Sequence, residues 1–146
     1  HLALWAAARG QLQDTPLSVE DPFIPNGVIT LAGINDLELY RAEGPGRCGE
    51  PDTVDALIAG HPGDAPYADT SPDQLLPLHV EQVIVSGELD PIVPPQFGAA
   101  YAAEAEAAGD TVTEIKLENA GHFELIDPTA PAWAVILDEV ERLLGE

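Results

Sequence analysis

The residues best suited to chemistry in this 146-residue chain are one carboxylate and one imidazole, each just past a strand-like run. In Gln82 to Pro94, QVIVSGELDPIVP, the β-branched run Val83, Ile84, Val85 breaks at Ser86-Gly87 into a loop carrying Asp90, which is how a buried parallel strand ends at a site. In Asn119 to Pro128, NAGHFELIDP, His122 follows Ala120-Gly121 after the alternating run Thr111 to Leu117. An acid and a histidine at the ends of two successive strands are two thirds of a Ser-His-Asp arrangement. A histidine titrates near neutrality, so it can accept a nucleophile's proton and return it to a leaving group, while the acid holds the ring in one tautomer. Singly, each residue has an ordinary explanation, an Asx turn at Asp90-Pro91 or a structural histidine; occurring together, they favour the catalytic one. Glu88 and Glu124 flank the pair and read as peripheral, and His61 and His79 read as loop residues.

The third member is missing. Ser18, Ser71 and Ser86 are the only serines, and none stands in a G-x-S-x-G context. Ser71-Pro72 reads as a turn or helix start with no base to activate it, and Ser86 ends the strand that already carries the acid.

Composition removes other chemistries. With 26 acidic against 5 basic residues, a net charge of −21, neither nucleic acid nor an anionic membrane surface is a plausible partner. No apolar run approaches the length of a bilayer span. The acidity fits solvated helix faces at Glu104, Glu106, Glu139 and Glu141, or an adaptation to high salt. Cys48 is the only cysteine and sits in a Gly/Pro-rich loop, so no intrachain disulfide or thiolate site is expected. The four histidines lack H-x-x-x-H or H-E-x-x-H spacing, so no metal site is expected.

The elements that must position the pair follow from periodicity. His1 to Arg9 predicts a helix, apolar on nearly every face and therefore buried, ended by Gly10. It begins without a capping residue, as if the chain started inside a helix. A proline-punctuated loop from Gln11 to Asn26 leads to a strand over Gly27 to Ala32. An irregular excursion over about 36–80 follows, with a helical turn at Asp36 to Glu43, a flexible bridge at Gly44 to Pro51 and a short helix at Asp52 to Ala59; such segments lid pockets. Then come the Val83 strand, an Ala-rich helix from Pro95 to Ala108 closed by Gly109, the Thr111 strand, and a helix from Pro131 to Leu144. That last helix carries Trp133, Ile136, Leu137, Val140, Leu143 and Leu144 in an apolar stripe meant for the sheet. Trp5 and Trp133 read as core. Alternation of this kind gives an α/β fold with a parallel sheet. Three strands alone would leave the first edge bare, so further strands before His1 are expected.

Taken with its flanking strands and helices, VIVSGELD followed by TVTEIKL and AGHFELIDP resembles the C-terminal half of an α/β-hydrolase, closest in flavour to the esterase, prolyl-oligopeptidase-like and formamidase-like branch. The resemblance spans essentially the whole chain. In that family the triad runs nucleophile, acid, histidine along the chain, which makes Asp90 the acid and His122 the histidine. HLALWAAAR then resembles the helix after the nucleophile elbow, with the elbow itself removed. The resemblance implies a single domain of which residues 1–146 are the C-terminal portion, and a preceding segment of the same enzyme that supplies the serine and an oxyanion donor. It implies hydrolysis of a small-molecule ester, amide or peptide bond, with no organic cofactor and with this chain alone inactive. A dehalogenase or epoxide hydrolase with an Asp nucleophile, or a non-catalytic binding protein that keeps the fold, are the alternatives. A binding protein would have Asp90 and His122 pointing apart or plugged by side chains. Localisation stays open, because a signal peptide would precede His1, and the lone Cys is compatible with the cytoplasm.

Overall fold

A computed structural model describes residues 1–13, 15, 17–46 and 53–145. Cys48 and most of the Gly44 to Pro51 bridge lie outside them. Three parallel strands, β1 (Gly27–Leu31), β2 (Glu81–Gly87) and β3 (Val112–Leu117), form one sheet in the order β1-β2-β3. Gly27 stands opposite Glu81, and Gln82 opposite Val112.

The central strand explains the layering. Every residue of β2 after Glu81 is buried, and successive side chains point to opposite faces. Ile84 enters one core with Val28, Leu4, Tyr101, Ala102 and Ala105, while Val83 and Val85 enter the other with Leu37, Tyr40, Leu125 and Ile136. Helices α1 (Leu2–Ala7) and α4 (Pro95–Ala108) therefore cover one face, and α2 (Leu37–Glu43) and α5 (Ala132–Leu144) the other. A parallel sheet needs this double cover. Helix α4 lies so close to β2 that a Cβ on Gly98 would stand 2.5 Å from Ser86 Oγ. Its end is the expected one, Gly109 in the left-handed conformation at φ 102°.

Two expectations about burial fail for the same reason. Helix α1 buries only the face carrying Leu4, Ala7 and Ala8; Leu2 is 70% exposed, and Ala3 and Ala6 are exposed as well. Only one side of the helix meets the sheet. Gly10 does not stop it either: the backbone tightens into a 3₁₀ turn, Ala8–Gln11, anchored where Gln11 Nε2 donates to Pro77 O at 2.9 Å. In α5, Ile136 is buried and Trp133 and Leu143 are half-buried, but Leu137, Val140 and Leu144 remain exposed. Just one edge of its stripe reaches the sheet, where Leu143 packs under Gly27.

The excursion is better organised than its sequence suggests. Asp36 caps α2 by accepting from Leu39 N–H at 2.8 Å. A short helix α3 (Thr53–Ile58) and a 3₁₀ turn (Pro72–Leu75) follow. Ser71 is buried, accepts from Leu37 N–H at 2.9 Å and donates to the Asp73 carboxylate, so its hydroxyl ties the end of the excursion back to its beginning at α2. Below the sheet, Asp110 accepts from Leu78 and His79 N–H and from Gln82 Nε2, each at 2.8 Å, and Tyr101 donates to Gln82. No helix among the described residues is long and apolar enough to cross a membrane.

Candidate active site

The loops that leave β2 and β3 are joined by continuation of the sheet's hydrogen bonding. Glu88 N–H donates to Leu117 O at 3.0 Å and Leu89 N–H to Ala120 O at 2.9 Å. Asn119 makes the turn after β3 in the left-handed region, φ 60°, which Asn tolerates better than most residues. The approach is close enough that a Cβ on Gly87 would stand 2.5 Å from Ala120 O and 2.7 Å from Gly121 O. Only glycine permits it.

That approach brings Asp90 and His122, 32 residues apart in the chain, into direct contact: His122 Nδ1 lies 2.7 Å from Asp90 Oδ2. The carboxylate only accepts, so Nδ1 carries the proton and donates. Asp90 Oδ1 accepts from Ile92 N–H at 2.8 Å and Val93 N–H at 3.0 Å. The Asx turn and the contact with histidine are thus made by different oxygens of one side chain. Asp90 is buried and the His122 side chain is one-quarter exposed. The ring therefore keeps Nε2 for another partner while its orientation is fixed from behind. Tyr40 Oη donates to Ile92 O at 2.8 Å and packs edge-on against Phe97, bracing the acid's loop from α2.

Exposed apolar and acidic side chains alternate on the loops that carry the pair. Phe123 packs perpendicular to the His122 ring with centroids 5.3 Å apart, and Phe123, Leu89 and Ile126 are all exposed. Glu88 and Glu124 do not bond His122; Glu124 instead accepts from Gly121 N–H at 3.0 Å, steadying the histidine's loop. Ser86 is buried beneath α4.

Two arrangements were not legible in the sequence. His61 Nε2 lies 2.8 Å from Asp69 Oδ1, and its Nδ1 lies beside Gly63. The Gly63 backbone and then Asp69 raise the His61 pKa above its ordinary value. Asp36, Asp73 and Glu104 bring carboxylate oxygens within 4.8 Å of one another. Burial, followed by repulsion from neighbouring carboxylates, raises the pKa of Glu104, and burial with Asp73 and Glu38 does so for Asp36 against the pull of Leu39 N–H. Both groupings join residues from separate elements, and no local motif announces them.

Neither a family model nor a curated protein sequence matches the chain. Solved structures do. Esterase 2 of Thermogutta terrifontis, phosphonylated by sarin, superposes with a TM-score of 0.64 at 15% identity over 96% of this chain and 52% of the esterase. A puromycin-hydrolyzing peptidase of Mycobacterium tuberculosis gives 0.53 at 18% identity over 75% of this chain and 16% of the peptidase. The fold is of the α/β-hydrolase kind. The chain spans about half the length of the esterase and a much smaller share of the peptidase. A structure of puromycin hydrolase, at a TM-score of 0.53 and 17% identity, is similarly related. These neighbours are hydrolases by their own names, and at such identities they speak for the fold.

Proposed function

We propose that this chain is the acid-and-histidine portion of a serine-type hydrolase that cleaves an ester, amide or peptide bond through a covalent acyl-enzyme. The observation that carries the reading is the hydrogen bond from His122 Nδ1 to a buried Asp90 whose other oxygen is held by two backbone N–H groups. His122 Nε2 takes the proton of the attacking hydroxyl and delivers it to the leaving group; Asp90 fixes the tautomer and stabilises the imidazolium. The three serines of the chain are unsuited to attack, and the nucleophile and the oxyanion donors belong to a segment ahead of His1, within the same domain.

The sheet supports that placement. The outer edge strand β3 carries exposed Glu114 and Lys116, the kind of side chain that guards an edge. Strand β1, GVITL, has no charge at all. It is suited to a further parallel strand. The esterase and peptidase names of the structural neighbours favour acyl transfer over the dehalogenase or epoxide-hydrolase alternatives.

The test is labelling of the protein, purified together with whatever extension or partner polypeptide carries the elbow, with a fluorophosphonate. A serine ahead of His1 should take the label, and His122→Ala should abolish it. Upstream residues with no G-x-S-x-G, and no Cys or Asp equivalent, would sink the reading and leave a binding protein of this fold.

A further inference from the structure

A single peptide group separates Tyr40 from the acid of the pair. The Tyr40 hydroxyl donates to Ile92 O at 2.8 Å. The N–H at the other end of that peptide group, the one of Val93, donates to Asp90 Oδ1 at 3.0 Å. A trans peptide is planar and rigid, with its C=O and N–H pointing opposite ways, so the hydroxyl that anchors the oxygen also aims the N–H. Hydrogen bonds in series polarise one another, which makes Val93 N–H the stronger donor. Among the described residues no backbone N–H bonds Ile92 O, and Pro91, Pro94 and Pro95 leave the loop short of donors of its own.

The ring that carries this hydroxyl is clamped. Tyr40 is buried, meets Phe97 edge-on with centroids 5.2 Å apart, and lies under Gly44, where a Cβ would stand 3.0 Å from Tyr40 Cε2. Its helix is fastened at its start by the Asp36 cap and by Leu37 N–H to Ser71 Oγ. The Asp90 side chain is wholly buried, so its carboxylate is oriented by its donors and not by water. A buried tyrosine hydroxyl usually finds some partner, and any carbonyl would satisfy it. Here the acceptor belongs to a peptide group that also holds the acid, and it lies 52 residues further along the chain.

We infer that Tyr40 is a positioning residue for the reaction, an inference that rests on the hydrolase reading. Acting through the peptide group between Ile92 and Val93, it holds Asp90 Oδ1 so that Oδ2 stays aligned with His122 Nδ1. The excursion thereby takes part in the chemistry. The loops leaving β2 and β3 bring acid and histidine together, and α2 fixes the angle at which they meet.

The test compares Tyr40→Phe with Tyr101→Phe. Each removes the hydroxyl of a buried tyrosine and keeps its ring, but Tyr101 donates to Gln82 at the opposite end of the sheet. Proton NMR of the 146-residue chain should show the His122 Nδ1–H resonance moved upfield and exchanging faster with water in Tyr40→Phe. In Tyr101→Phe it should stay in place. In the assembled enzyme Tyr40→Phe should lower kcat about tenfold with KM little changed, because a small misalignment falls on the reacting geometry and not on binding. A resonance that stays in place in Tyr40→Phe, or that Tyr101→Phe moves as far, overturns the inference and leaves the hydrolase reading standing. A resonance that moves while kcat stays within about twofold of the parent does the same. Turnover that survives His122→Ala overturns the hydrolase reading whatever Tyr40→Phe does, and takes the positioning role with it.

Discussion

Asp90 divides its two oxygens between two tasks, and substitution separates them. In Asp90→Asn the turn with Ile92 and Val93 can persist, but an amide presented to His122 no longer selects the Nδ1–H tautomer or stabilises an imidazolium. On the proposed mechanism kcat in the assembled enzyme falls about 10⁴-fold, with KM little changed; steady-state kinetics with a chromogenic ester decides. His61 offers a second residue-scale outcome. Its raised pKa comes first from the Gly63 backbone and then from Asp69, so the protonated ring is favoured in the folded chain. The stabilisation is complete below the ordinary histidine value and is lost as pH rises through the raised one. NMR titration should give a His61 midpoint above that of an unstructured histidine, and Asp69→Asn should bring it down.

At the scale of elements, the dyad exists because two loops approach at Gly87. Gly87→Ala would drive a methyl into the carbonyls of Ala120 and Gly121, forcing the loops apart. We expect about 10²-fold lower turnover, the size of effect that small misplacements produce, and loss of the downfield His122 Nδ1–H resonance. At the opposite end of the sheet Asp110→Ala would leave Leu78 N–H, His79 N–H and Gln82 Nε2 without their acceptor. Urea unfolding should show a loss of about 3 kcal/mol. How much of this was legible differs by element. Strands β1, β2 and β3, helix α4 and its Gly109 stop were readable, because their burial or alternation is written locally. Asp90 and His122 were readable because each follows its strand directly. Burial of α1 and α5 was misread because an apolar face does not say whether anything meets it: Leu2 and Leu144 look like core in a sequence and stand in solvent in the fold. The His61 clasp and the Asp110 anchor depend on contacts between distant segments, which no periodicity encodes.

Over the whole molecule the dominant fact is its charge. At −21 the folded chain repels itself, and the cluster of Asp36, Asp73 and Glu104 concentrates that repulsion. Carboxylates whose pKa is raised in the fold favour it more as pH falls and cost it stability above. Glu104→Gln should accordingly raise Tm at neutral pH. Sodium chloride, raised from about 0.05 M to about 1 M, should do so too by screening exposed like charges; scanning calorimetry checks both. The contrast between the two outer strands then acquires a meaning beyond the fold. Strand β3 is guarded by its own Glu114 and Lys116, whereas β1, in a chain parted from the strand proposed to pair with it, has only the long-range repulsion of the entire molecule to keep another β1 at a distance. Salt removes that protection while it tightens each folded chain, so a brine that raises the melting temperature should also shorten the time the 146-residue chain, purified alone, stays clear in storage.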